Sequence, residues 1–240
     1  MKDRVIQLRD IHKSYAINHE RPIFIDRLLT KKREIFWAQK KINLTIYRGE
    51  KVGIIGKNGS GKTTLLKIIA GITTPTSGKL TTTGSIISII DIGAGFHPDL
   101  TGLQNIILNG LLLGARKSYI ESQLANIVRY AGIRQFIDVP LYTYSAGMKL
   151  RLGFAVAIHC NPDILLLDEG LSFGDSQFTK KARETLNSVE FQKKTILTVY
   201  HDPILLCKQC SRGIVLRDGH IAYDGKTTSI RDRNVLISNI

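Results

Sequence analysis

Gly56-Lys57-Asn58-Gly59-Ser60-Gly61-Lys62-Thr63 is the most informative run in this sequence. It matches G-x-x-x-x-G-K-[ST], a loop that holds phosphate. Glycines let the backbone curl so that several N–H groups point at one phosphate, and a helix starting at once adds the positive end of its dipole. Lys62 brings a mobile charge to the β- and γ-phosphates, and the Thr63 hydroxyl suits Mg²⁺. The flanks fit: Lys51–Ile55 (KVGII) reads as a strand and Thr63–Ala70 as a helix. Residues Gly56, Lys57, Asn58, Gly59, Ser60, Gly61, Lys62, Thr63 and Thr64 are therefore the expected nucleotide contacts.

A second phosphate-side element lies downstream. Ile164–Leu167 is an aliphatic run fit for a strand buried on both faces, and it ends in Asp168-Glu169. In open α/β sheets ligands sit at the carboxyl ends of strands. Asp168 is placed to hold Mg²⁺ and Glu169 to polarise the attacking water. His201 follows a third strand, Thr195–Tyr200, and is expected at the γ-phosphate. Other strands are expected at Val5–Leu8, Ile42–Ile46, and Ser77–Gly84 with Ser85–Asp91 as two strands around a turn at Gly84. Ile214–Leu216 and His220–Tyr223 flank Asp218-Gly219, a hairpin dipeptide. Helices are expected from Gly102 to about Ile137 with breaks at Gly114 and Gly132, at Ser145–His159, and at about Ser176–Ser188. Strands alternating with helices imply a mainly parallel sheet in an α/β fold.

Composition bounds the rest. The chain has 240 residues, 43% of them hydrophobic and 22% charged, which argues against disorder. No apolar run reaches the roughly 18 residues of a membrane-spanning helix, and MKDRVIQLRD offers no apolar leader core. The three cysteines, Cys160, Cys207 and Cys210, are too few for a disulfide scaffold and are read as reduced thiols. With 34 Lys+Arg against 20 Asp+Glu the net charge is +14, which suits a polyanionic neighbour without choosing among nucleotide, nucleic acid and membrane surface.

Tyr144-Ser145-Ala146-Gly147-Met148-Lys149 opens a helix between the two phosphate motifs. In this order the loop, this hexapeptide, the Asp-Glu pair and the histidine resemble the ATP-binding subunits of ABC transporters. The family signature usually reads LSGGQ; YSAGM keeps the serine and the second glycine. The resemblance implies a P-loop triphosphatase with a mainly parallel sheet core, an antiparallel β subdomain and a helical subdomain at about 102–160. It implies one nucleotide-binding domain over 1–240, without a C-terminal carbohydrate-binding domain. It further implies that Ser145 and Gly147 close over ATP held by a second copy, that Asp175 lies across that dimer interface, and that Tyr15 stacks on adenine. ATP and Mg²⁺ are the implied cofactors. Where most members carry a Q-loop glutamine, this sequence offers only Asp91, expected as a third Mg²⁺ ligand.

The signature with Ile90–Gly110 (IDIGAGFHPDLTGLQNIILNG), Leu65–Gly78 and Asp168–Asp175 (DEGLSFGD) resembles one subgroup, the exporters of O-antigen, teichoic acid and related capsule polysaccharides. That implies ATP hydrolysis by a homodimer on the cytoplasmic face of the cytoplasmic membrane. A separate integral membrane subunit then carries an undecaprenyl-diphosphate-linked glycan, and the surface around Ile90–Asp99 transmits closure to it. The alternative is the ATPase subunit of another ABC transporter. A family member acting on nucleic acid would suit the charge, but Thr64–Tyr144 has no room for the coiled-coil insert usual there, so no nucleic-acid partner is expected. Between Tyr15 and Ile42 lies an insert, Ala16–Lys41, in which Pro22–Phe36 reads as a short basic amphipathic helix, lying either against anionic headgroups at the membrane side or exposed and packed on its own domain.

Overall fold

The computed structural model describes residues 3–17, 34–90, 93, 95–168 and 175–232. Its elements fall into two sheets and a helical layer. Strands β1 (Arg4–Ile17), β2 (Glu34–Tyr47) and β4 (Ser77–Thr82) form an antiparallel sheet in the order β2-β1-β4. The second sheet runs β5 (Ile86–Ile89), β6 (Ile164–Leu167), β7 (Thr195–Val199), β3 (Lys51–Ile55), β8 (Arg212–Arg217), β9 (His220–Lys226). Its pairs are parallel except β8 with β9. This is the α/β architecture expected, with a mainly parallel core and an antiparallel companion.

The burial pattern explains the layering. Every residue of β6 and β7 is buried. Ile164 and Leu166 face one cluster with Leu197, Val199, helix α1 (Lys62–Ile69) and the inner faces of β1 and β2. Leu165, Leu167 and Ile196 face the opposite cluster, built with Phe154, Phe178 and Phe191. These phenylalanines come from α4 (Ala146–His159), α5 (Ser176–Leu186) and α6 (Val189–Gln192). Alternate side chains thus fill two cores, which is why the aliphatic run shows no polar alternation. A third cluster joins α4 to α2 (Gly102–Leu112) and α3 (Lys117–Ala131) around Ile106, Ile120, Ile127 and Leu152. The breaks at Gly114 and Gly132 are where expected, Gly132 closing α3 in the left-handed region.

Four expectations change. The strands around Gly84 do not pair with each other: β4 adds to β1 while β5 adds to β6. Asp163 sets this crossing, accepting from the Ser85 N–H at 2.8 Å and its hydroxyl at 3.0 Å, while the Ser85 carbonyl accepts from the backbone of Asp163 and Ile164. Arg48 lies 3.7 Å from the same carboxylate. Next, β1 and β2 are longer than expected. Their ladder continues to Ile17 opposite Glu34, so Glu34, Ile35 and Phe36 are strand, not the end of an amphipathic helix. Ile35, Phe36 and Trp37 are exposed there, which hid the strand period. The remainder of the expected helix, residues 22–33, lies outside the described residues. Third, α5 ends at Leu186 rather than Ser188. Last, α7 (Pro203–Gln209) and α8 (Thr227–Asp232) have no counterpart in the sequence reading. Asp202 caps α7 by accepting from the Ile204 N–H, with proline in the first turn. Among the described residues no helix is long and apolar enough to cross a membrane.

Candidate functional site

The site is built on neighbouring strand ends. β3 delivers the chain to Gly56, and β6 delivers it to Asp168. β7 runs between them, in register with Ile54 at Val199 and with Leu167 at Thr198. Because the three strands are parallel, their carboxyl ends face the same way. His201 follows as the Tyr200 N–H donates to the Ile54 carbonyl at 2.8 Å.

The loop from Gly56 to Gly61 then turns into α1. Gly61 has φ +100°, a conformation that costs a glycine little and other residues more. A Cβ there would also collide with the Ala38 carbonyl and the Gln39 amide. As the N-cap, Gly61 offers no side-chain cap, and the first turn of α1 holds no acidic residue. The positive end of the helix is thus left to a ligand anion. Lys62 is 7% exposed, and its ammonium donates to the Gly56 carbonyl at 2.7 Å and the Lys57 carbonyl at 2.9 Å. The Ser60 hydroxyl is buried without a hydrogen-bond partner among the described residues. A buried, unpartnered hydroxyl, an ammonium and an uncapped helix start in one loop suit a phosphate.

The Thr63 hydroxyl donates to Asp168 Oδ2 at 3.2 Å. Two hard oxygen donors, one a carboxylate half exposed to solvent, fit Mg²⁺, which prefers such ligands and keeps several waters. Thr64 is the next residue on α1 and half-buried. Lys57, Asn58 and Gly59 form the exposed crest of the loop.

Tyr15 lies on β1, 41% exposed, with the Lys13 ammonium 4.9 Å from its ring centre. Ser145 caps α4, its hydroxyl accepting from the Met148 N–H at 3.2 Å, and Gly147 sits in the first turn. Among the described residues neither hydrogen-bonds to the 56–64 loop. Asp175 caps α5 through the N–H groups of Gln177 and Phe178 at 2.9 and 3.4 Å, and pairs with Arg151 of α4 at 3.2 Å. It thus has a structural role within its own chain that the sequence did not suggest. Asp91 and Glu169 lie outside the described residues. Two contributors escaped the sequence reading: Arg151, and Gln39, whose amide donates to the Gly61 carbonyl at 2.7 Å. Each meets its partner only in three dimensions, so no local pattern marks it.

The sequence pattern of the ABC transporter family matches residues 39–172. The O-antigen export system ATP-binding protein RfbB of Myxococcus xanthus is 41% identical over 94% of this chain and 54% of its own length. The protein of the same name from Klebsiella pneumoniae is 36% identical over 94% of this chain and 95% of its own. The chain thus spans about half of the first relative and nearly all of the second. Among solved structures, a dimeric ATP-binding cassette in a post-hydrolysis state with ADP and Pi superposes with a TM-score of 0.73 at 25% identity, covering 92% of this chain and 98% of that one.

Proposed function

This chain belongs to the ABC transporter family, and from that premise we propose that it is the ATP-binding subunit of a polysaccharide exporter, hydrolysing MgATP as a homodimer. The observation that carries the catalytic reading is the meeting of the Gly56–Thr63 loop with Asp168 through the Thr63 hydroxyl. The relatives named for O-antigen export support the substrate class.

The proposed roles follow from the chemistry of each group. Backbone N–H groups of residues 57–63 and the start of α1 hold the β- and γ-phosphates. Lys62 offsets charge on the transferred phosphoryl oxygens. Thr63 and Asp168 hold Mg²⁺, with Asp91 as a further oxygen donor; when bound, the ion supplies neutralising charge on the phosphates. Glu169 orients the attacking water, and His201 positions the γ-phosphate. Tyr15 stacks on adenine. Ser145 and Gly147 of a second copy close over the nucleotide, and Asp175 lies near that interface.

Residues 1–240 act as one nucleotide-binding domain whose helical part is about 102–160. It sits peripherally on the cytoplasmic face of the cytoplasmic membrane and pairs with an integral membrane subunit. Closure passes through the surface around 90–99 to a carrier of undecaprenyl-diphosphate-linked glycan.

Two measurements test this. Purified protein hydrolyses MgATP, Lys62→Ala abolishes binding, and Glu169→Gln keeps binding while lowering turnover at least about tenfold. In cells, Glu169→Gln makes the lipid-linked glycan accumulate inside. Turnover unaffected by Glu169→Gln, or export unaffected by loss of the chain, contradicts the corresponding half of the proposal.

A further inference from the structure

Gln39 on β2 is fully buried, at 0% exposure. Its amide Nε2 donates to the Gly61 carbonyl at 2.7 Å, and that carbonyl also accepts from the Leu65 N–H of α1 at 2.9 Å. The other end of the amide, Oε1, is buried with no hydrogen-bond partner among the described residues. Such a side chain is a poor choice for stability: an apolar residue of the same length fills the space without leaving an acceptor unpaired.

A second contact reaches the same loop from the β8–β9 turn. The Gly219 N–H donates to the Ser60 carbonyl at 3.3 Å, and the Gly219 carbonyl accepts from the Lys40 N–H at 2.8 Å. Asp218 and Gly219 both have positive φ, 49° and 81°, as a tight hairpin turn requires. Residues 39, 40 and 219 thus form one brace against the carbonyls of Ser60 and Gly61. No peptide bond among the described residues is cis, and in a trans peptide the C=O and N–H point in opposite directions. Fixing these two carbonyls on the brace therefore turns the N–H groups of Gly61 and Lys62 away from it, as donors for a phosphate. The brace also joins the two ends of a nucleotide site. Gln39 pairs with Lys13 on β1, and Tyr15 lies two residues further along the same ladder.

We infer that Gln39 is a positioning residue for the phosphate loop: its amide, backed by the Gly219 turn, holds the Gly61 carbonyl outward so that the loop is preset for nucleotide phosphate. This deepens the nucleotide-binding reading above and rests on it.

The test compares wild type with Gln39→Met and with Gln39→Leu, two different apolar fillings of one space. Removing the amide leaves the Gly61 carbonyl its bond to Leu65, so both variants should keep or raise Tm. Their Kd for MgATP, measured by calorimetry, should weaken roughly three- to tenfold, the scale of one hydrogen bond. KM should rise with it while kcat stays within about twofold. Unchanged Kd and KM in both variants overturns the inference, as does a loss of affinity matched by a fall in Tm, which marks a plain packing role. A wild-type chain that does not bind MgATP overturns the nucleotide reading itself, and this inference with it. Binding by wild type and none by Lys62→Ala upholds that reading whatever Gln39 does.

Discussion

Thr63 and Asp168 stand 105 residues apart in the chain, yet the threonine hydroxyl donates to the aspartate at 3.2 Å. The contact joins the start of α1 to the end of β6 and brings together the two oxygen donors proposed above to hold Mg²⁺. Asp168→Asn keeps the size and removes the charge. Mg²⁺-dependent hydrolysis should fall at least about 100-fold, while nucleotide binding in EDTA stays within about threefold of wild type. Steady-state turnover and calorimetry check the two arms.

Asp175 has a duty inside its own chain that separates from any duty across a dimer. It caps α5 and pairs with Arg151. Asp175→Ala should cost about 1 kcal/mol of cap energy and lower Tm by about 2–4 °C for a chain of this size. Asp175→Ser keeps a capping oxygen and should lose less than half of that. Turnover lost in both variants locates the functional role in the carboxylate; calorimetric scans and hydrolysis rates read the difference.

Acid should loosen the junction between the sheets. The Asp163 carboxylate is held below its ordinary pKa, first by the Ser85 backbone N–H and, with partial burial opposing, by the Ser85 hydroxyl, Lys194 and Arg48. A carboxylate whose folded pKa is depressed adds stability that is fully present above the unfolded value of about 3.9. That stability is lost as pH falls through the folded value. The urea midpoint of wild type should therefore drop below about pH 4. Asp163→Asn should start lower at neutral pH and change less over the same interval.

Two thiols should be chemically quiet. Burial pushes both Cys160 and Cys210 up to about 11. Relative to an ordinary thiol at 9.0, the thiolate fraction at pH 8 is much smaller, and reaction with iodoacetamide should slow, though by less than the fraction falls because a more basic thiolate is the better nucleophile. Mass spectrometry of the folded protein should find these two positions labelled only after urea is added.

Much of this molecule is legible in its sequence because its chemistry is contiguous. Gly56–Thr63 carries the loop, the strand before it and the helix after it within one short stretch, and Asp168 ends a strand whose four aliphatic residues announce burial on both faces. The Ser145 cap and the Asp218–Gly219 turn are equally local. What the sequence withholds are pairings between distant segments. β4 and β5 are neighbours in the chain but belong to different sheets, because Asp163 captures the crossing at Ser85. β1 and β2 extend into the insert because each satisfies the other's backbone, although Ile35, Phe36 and Trp37 face solvent and break the expected alternation. Arg151 and Gln39 belong to the same class: an arginine and a glutamine with no local motif, given meaning by the element packed against them.

We propose that ATP is split between two copies of this chain. Hydrolysis per mole of protein, measured across a wide range of protein concentration alongside molar mass by light scattering, tests it most directly. Turnover per chain should rise with concentration and level off as an MgATP-dependent dimer forms, and Glu169→Gln should form a stable dimer in MgATP. Full turnover per chain at all concentrations, from protein that stays monomeric with nucleotide bound, contradicts it.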